Sequence, residues 1–400
     1  MTSVTIVGLD FHPDSHGVAP YSTGLARGLA ARGHAVRVVT GFPYYPAWRL
    51  PAEYRWLRHG LARRTREHGV DVTRLWHHVP RRPTAIGRFV HEASFAAHAL
   101  VRLLCTRPRP DVVVGVSPSL LSSAAARCYA DRVGVPLAVV VQDLCGRGTR
   151  AAGFERSLLA RAAGVSVAHD SVRSYLEHAY RLDPVRLTVI RDWAHGASCR
   201  PDVDRHEARR ALGWPVDGFV ALHAGNMGVR QDLVNVVEAA RIAGIRREPV
   251  HFVLMGDGAA RPEVVARARG LPRVSVVAPV AGDLLPTALG AADVLIVNER
   301  PGPPGIRLPR KLTAYFRAGR PVVAAAHRDS TTATEVTAAR AGCVVEPGDA
   351  VALLNTVLDL ARDRAYAESL AAAGLDHARR TLDRDRALDA YEDWLCGVAR

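Results

Sequence analysis

Lys311 is the only lysine in a chain whose other 52 basic residues are arginine. It stands in Pro309-Arg310-Lys311-Leu312-Thr313-Ala314-Tyr315, after a Gly- and Pro-rich loop at 300–305. An ammonium is a compact point charge, whereas a guanidinium is a planar fork. A lone lysine against an arginine background therefore marks a place where the point charge is needed. The pattern predicts a helix opening with Arg310 and Lys311, and two cations there oppose the helix dipole. A bound anion such as a diphosphate would account for them; the alternative is a solvated helix face.

Three glycine turns carry a related signal. His223-Ala224-Gly225-Asn226-Met227-Gly228-Val229-Arg230 follows an apolar run and precedes a helical stretch, and Met255-Gly256-Asp257-Gly258 repeats the theme one unit later. Glycine lets backbone approach a ligand, and helix-start amides suit phosphate, with Arg230 as counter-charge. In the first half, the loop from Gly8 to Tyr21 contains His12, His16 and Gly17 in the same position relative to its strand. No G-x-G-x-x-G, G-x4-G-K-[ST], H-E-x-x-H or G-x-S-x-G occurs, so dinucleotide, P-loop, zincin and α/β-hydrolase chemistry is not expected. The D-x-D triplets at 202–204 and 383–385 fall in a connector and a terminal helix rather than at strand ends, so no metal site is expected.

These loops need strands to position them. Apolar, β-branched runs recur at 4–7, 36–40, 112–116, 137–141, 165–168 and 188–190, with helical stretches between several of them. After a polar connector the rhythm restarts at 219–223, 251–255, 274–277, 294–297, 321–325 and 342–345. Continuous apolar strands alternating with helices predict parallel sheets covered on both faces. The expected architecture is α/β, with two doubly wound Rossmann-like domains facing a cleft. The boundaries expected are an acceptor-binding domain at 1–195, a donor-binding domain at 196–375, and a helix at 376–400 returning to the first domain.

Composition sets outer limits. Four hundred residues, 48% of them apolar, suffice for two cores, and no 18-residue uncharged apolar run is present. Six cysteines without C-x-x-C spacing fit a reducing cytoplasm. The net charge of +14 is unevenly placed: residues 1–200 hold 27 Arg against 14 Asp and Glu, and residues 201–400 hold 26 basic against 25 acidic. The excess gathers at Arg55, Arg58, Arg63, Arg64, Arg66, Arg81, Arg82, Arg88, Arg102, Arg107 and Arg109. A basic half suggests an anionic partner, such as a phosphorylated acceptor or an acidic membrane surface; a face that merely aids solubility is the alternative. Nucleic acid is not expected, because no binding module is recognisable and aromatic residues make up only 6%.

The succession GNMGxxQ, MGDGxxR, AADVLIV and PxKLxxYxxAGRPVVA resembles the second domain of retaining GT-B glycosyltransferases of family 4. The opening FHPDSHGVAPYSTGLARGLAARGHAVRVVT, PYYPAW, and DVVVGVSPSLL leading to VVVQD resemble the colanic-acid-type branch. The resemblance implies a sugar transferase without metal or cofactor, whose donor substrate is a nucleoside diphosphate sugar. It implies that Lys311, with Arg310 beside it, contacts the donor diphosphate. By the same resemblance Gly225, Asn226 and Gly228 match the loop beneath it, Gly256, Asp257 and Gly258 the donor-side turn, and Gly17 the first-domain loop that approaches the donor phosphates; Arg230 joins the donor residues as the counter-charge read from the sequence. Acceptor contacts fall to the first half, at His12, His16, Tyr21 and Asp143, with Asp143 a polar orienter. The acceptor is expected to be a polar or anionic natural product or a lipid-linked molecule, and the location cytoplasmic or peripheral at the inner membrane face. Two positions depart from the family: Arg310 replaces a usual Ser, and Ala314 replaces the Glu that holds the ribose hydroxyls. A non-nucleotide phosphorylated sugar donor, a nucleotide-sugar epimerase and a catalytically silent partner of the same fold therefore stay open.

Overall fold

The computed structural model describes the chain except residues 15–16, 46–47, 56–61, 83, 146–150, 194–202 and 307–308, with backbone alone at 53 and 55. His16 and Arg58 therefore lie outside the described residues. The chain divides into one unit of Met1–Arg191 with Asp385–Arg400, and a second of Asp192–Arg384.

The first unit is built on an eight-stranded sheet. Its strands are β1 (Ser3–Val7), β2 (Ala35–Gly41), β3 (Ala62–Glu67), β4 (Val70–Leu75), β5 (Val112–Val116), β6 (Leu137–Val141), β7 (Gly164–Val167) and β8 (Leu187–Val189), in spatial order β3-β4-β2-β1-β5-β6-β7-β8. All pairings are parallel except β3 with β4. Every residue of β5 and β6 is buried, which is why these strands read as unbroken apolar runs. Strands β3 and β4 were not expected. The sequence of β3, Ala-Arg-Arg-Thr-Arg-Glu, has no apolar pattern because it forms the edge, paired only to β4. Its arginines suit an edge strand, since charge opposes pairing with another chain.

The second unit has a six-stranded parallel sheet. Here β9 (Phe219–Ala224), β10 (Val250–Met255), β11 (Val274–Val277), β12 (Val294–Asn298), β13 (Val322–Ala325) and β14 (Gly342–Val345) are ordered β11-β10-β9-β12-β13-β14. Helices bury apolar residues against the sheet: Leu222, Val253, Leu295 and Phe316 share one core cluster, and Phe252, Val236, Ile296 and Leu354 another. The two doubly wound parallel sheets expected from the apolar runs are thus present.

The boundary expected at 375/376 falls inside the helix Arg364–Thr381, which keeps its contacts with the second unit through Ala378 and the buried His377–Glu335 pair at 2.9 Å. The return to the first unit comes with the helix Arg384–Val398. Arg32 meets Asp389 at 2.6 Å, His34 meets Glu392 at 2.8 Å, and Leu388 lies against Gly28 so closely that a Cβ there would stand 2.5 Å from it.

Candidate functional site

In the second unit the candidate residues gather at the carboxyl ends of β9, β10 and β12, the edge where doubly wound sheets present their loops. The helix Lys311–Arg317 is anchored through Leu312, Tyr315 and Phe316, each at most 1% exposed. Their spacing of one, four and five places after Lys311 sets one helical face on the sheet. Truncating a ring such as Phe316 to Ala would cost ~3–5 kcal/mol. Tyr315 ties the helix to β9 directly: its hydroxyl accepts from Ala224 N at 2.8 Å and donates to Ala224 O at 3.2 Å.

Lys311 is consequently turned into the protein. Its Nζ stands 3.2 Å from Nε2 of the fully buried His223, and a side chain at Gly225 would begin 3.5 Å from Lys311 Cε and Nζ. Among the described residues the ammonium has His223 as hydrogen-bond partner and no carboxylate. Burial pushes its pKa down from 10.5 to about 7. Burial, and then the charge of Lys311, hold His223 well below the ordinary imidazole range. A neutral imidazole facing an ammonium accepts at Nε2, so its own proton sits on Nδ1. The solvated helix face is therefore not what this lysine occupies.

The two glycine turns interlock. Met227 N donates to Asp257 O and Ala260 N to Met227 O, each at 2.8 Å, and Gly225 N donates to Met255 O at 2.9 Å. At Gly256 a Cβ would fall 1.8 Å from Gly225 O, so only glycine permits this approach. At Gly258 a Cβ would meet Met227 backbone at 2.7 Å. Gly256 and Gly258 thus brace the loop that carries Gly225, Asn226 and Gly228. Gly225, Asn226, Arg230 and Asp257 are exposed, and Gly228 N donates to Gln231 Oε1 at 3.1 Å. Arg310 precedes the helix, half-buried, with its carbonyl accepting from Thr313 Oγ1 at 2.8 Å.

Two residues of this edge escaped the sequence reading. His223 is a polar residue near the end of an apolar strand, and its partner is 88 positions away. Asn298 ends β12 and is 1% exposed. Its Nδ2 donates to Gln231 O at 2.9 Å and Asp232 O at 3.0 Å, while Asn235 Nδ2 donates to its Oδ1 at 2.8 Å. It clamps the end of the glycine loop where Asp232 adopts φ +39°, a left-handed conformation that costs a non-glycine residue about 1–2 kcal/mol. A polar terminal residue in Val-Leu-Ile-Val-Asn was the available sign.

In the first unit Gly17 adopts φ +64°, with open space where a Cβ would be. His12 is exposed: its N donates to Thr23 Oγ1 at 2.9 Å and its Nδ1 lies 3.5 Å from Glu67 Oε2. Tyr21 is only 5% exposed, so its ring is not open to an incoming acceptor. Asp143 follows β6, half-buried, and its carbonyl accepts from Ser117 Oγ at 2.8 Å. The loop of His12 also carries carboxyls that the sequence reading passed over. Tyr44 OH donates to Asp10 Oδ1 at 3.2 Å, and burial, then the charge of Asp10, raise Asp14 to about 6. Glu92, raised by burial, accepts from Ser119 Oγ at 3.1 Å.

Two doubly wound parallel-sheet domains, the second presenting a half-buried lysine beside a braced glycine loop, define a GT-B transferase fold. Residues 16–193 match the glycosyl transferase 4-like domain, and residues 218–363 match the glycosyl transferases group 1. The colanic acid biosynthesis protein WcaI of Escherichia coli K12, named as a glycosyl transferase, is 30% identical over 97% of this chain and 98% of its own. The chain belongs to this glycosyltransferase family. Its fold is shared with Anabaena HepE, solved in complex with UDP, at TM-score 0.72 and 15% identity over 99% of this chain and 100% of that one. Sucrose-phosphate synthase from Thermosynechococcus elongatus superposes at TM-score 0.77 and 16% identity over 100% and 99%. WaaG, a glycosyltransferase involved in lipopolysaccharide biosynthesis, does so at 0.69 and 17% over 98% of each chain. No helix among the described residues is long and apolar enough to cross a membrane.

Proposed function

We propose that the protein moves a sugar from a nucleoside diphosphate sugar to an acceptor hydroxyl with retention and without metal. The observation that carries this reading is Lys311: a half-buried lysine whose ammonium has no carboxylate partner among the described residues, set against the glycine loop after β9. A partly desolvated cation without a counter-charge is costly until an anion joins it. In the transfer, the bond between sugar C1 and the phosphate oxygen breaks, and negative charge grows on the departing diphosphate. The acceptor oxygen bonds to C1 from the same face, and its proton passes to the leaving phosphate oxygen. On this reading Lys311, held by its anchored helix, stabilises that developing charge, which is where catalysis gains most, with Arg310 supporting it. HepE, of the same fold, was solved with UDP and with UDP-glucose, which supports a nucleotide sugar as donor. The acceptor reading assigns His12 and Asp143 of the first unit to a polar, natural-product or lipid-linked molecule.

The test is a thermal-shift panel of nucleoside diphosphates, their sugars and sugar phosphates, followed by product NMR. A nucleoside diphosphate sugar should stabilise the protein more than a sugar phosphate, turnover should survive EDTA, and the new bond should keep the donor's anomeric configuration. Stabilisation by sugar phosphates alone would favour a non-nucleotide donor, the reading that Ala314 leaves room for. An inverted product would overturn the retaining mechanism.

A further inference from the structure

The helix Ala85–Leu104 in the first unit is amphipathic in an unusual sense. Its buried residues, His91, Phe95, Ala99 and Leu103, recur every four positions and define the inner stripe. At 3.6 residues per turn, Ile86, Val90, Ala97, Val101 and Leu104 project from the opposite side, with Phe89 at its margin. All six are exposed; Ile86 is 78% exposed, and Phe89 and Val101 are each 62% exposed. The outward face of a surface helix is normally polar. A continuous outward apolar stripe some twenty residues long marks an interaction surface.

The charges around the stripe select its partner. Arg81 and Arg82 stand exposed just before the helix, and Arg107 and Arg109 just after it. Between residues 76 and 110 the only carboxylate is Glu92, which is half-buried and hydrogen-bonded to Ser119. An apolar stripe bracketed by arginines at both ends, with no exposed acid between, complements the acyl boundary and headgroups of an anionic bilayer. A second copy of the chain fits worse, because pairing two such stripes in either direction sets arginines against arginines.

We propose that the helix Ala85–Leu104 lies flat on an anionic lipid surface, with Ile86, Phe89, Val90 and Val101 in the acyl boundary and Arg81, Arg82, Arg107 and Arg109 on the headgroups. Charge alone pointed to Arg55–Arg66 and Arg81–Arg88 as an acceptor or membrane face; the apolar stripe adds the anchor, and the arginines choose the lipid. The proposal does not rest on the sugar-transfer reading, and the two can fail separately.

The experiment is co-sedimentation of the full chain with phosphatidylcholine vesicles, with and without 30% phosphatidylglycerol. The variants are Ile86→Ser/Val101→Ser and Arg81→Glu/Arg82→Glu. Both pairs are exposed, and each variant is checked for an unchanged melting temperature. The wild type should sediment with the phosphatidylglycerol vesicles and bind the neutral ones at least tenfold more weakly. Each double variant should lose at least tenfold in affinity for the anionic vesicles. The proposal is overturned if the wild type stays in the supernatant with anionic vesicles, or if the serine variant binds them as the wild type does. A concentration-dependent dimer abolished by the serine pair, without vesicle binding, would overturn it in favour of a second copy.

Discussion

Lys311 Nζ and His223 Nε2 lie 3.2 Å apart, a half-buried lysine against a fully buried histidine, with no carboxylate partner for the ammonium among the described residues. The charge of the ammonium is thus not balanced by the protein's own described groups. That imbalance ties stability, pH and ligand binding to the same pair of atoms.

The first consequence concerns stability. The pKa of Lys311 falls from 10.5 to about 7 on folding. Between those values the unfolded chain holds a proton that the folded chain lacks, so stability rises with pH through this window. Below about pH 7 the cost of the buried cation is fully present. Lys311→Met should therefore raise ligand-free stability by ~1–3 kcal/mol at pH 6–7, and the gain should vanish above about pH 10.5. The same variant should lose any stabilisation by the nucleoside diphosphate sugar proposed as donor, and turnover should drop by ~10²–10³. Denaturant melts at several pH values check the sign. A ligand-free variant less stable than the wild type at pH 6 would sink the argument.

His223 should act through Lys311. His223→Leu removes the acceptor that aims the ammonium, and the donor KM should rise about tenfold, the worth of one hydrogen bond to a charged group. His223→Gln, whose Oε1 can accept, should recover most of that loss. Donor affinity of the wild type should weaken from pH 6.5 to 8.5 as the unliganded Lys311 loses its proton, because a neutral amine does not attract diphosphate. The dependence should disappear in Lys311→Met. Isothermal titration at the two pH values decides it; equal slopes in both proteins would remove Lys311 from the donor site.

How much of this was legible depends on where each residue's partner lies. Strands such as Val112–Val116 declared themselves because both faces are buried and every position is apolar. The edge strand Ala62–Glu67 did not, since its side chains meet solvent and its pairing rests on the turn at His68–Gly69, where both residues take positive φ. The glycine turns could be read singly, but their interlocking through Met227 and Asp257 could not, because it depends on the adjacency of β9 and β10. Lys311 was visible through its rarity. His223 and Asn298 were hidden, each being one polar residue at a strand end whose role is set by a chain segment far away in sequence. The apolar outer stripe of Ala85–Leu104 was hidden for a different reason: a helical period shows amphipathicity but not which face turns inward.

Gly256→Ala tests the braced loop separately from the chemistry. Its Cβ would stand 1.8 Å from Gly225 O, and that neighbour is backbone rather than a yielding side chain. The turn must open, with a loss of ~2–4 kcal/mol typical of forced repacking and a strained backbone. Donor-induced stabilisation should fall with it. Gly17→Ala supplies the contrast: nothing stands within 4 Å, and only its φ of +64° opposes a side chain, for about 1–2 kcal/mol. Melting curves in which the two substitutions cost the same would contradict the interlocked geometry.

Asp14 makes the opposite pH prediction in the first unit. Burial, then the charge of Asp10, raise its pKa from 3.8 to about 6. Between those values the folded chain keeps a proton that the unfolded chain releases, so the folded state binds more protons and stability falls as pH climbs. The contribution is whole below about pH 4 and lost above about pH 6. Asp14→Asn stays neutral at every pH and should behave like the wild type near pH 4. At pH 7 it should be more stable by ~1–2 kcal/mol, less than the full shift implies because the carboxyl is only half-buried. Urea midpoints at pH 4.5 and 7 give the comparison. If the variant and the wild type differ equally at both, Asp14 does not titrate between them, and its carboxyl is not raised by burial and Asp10.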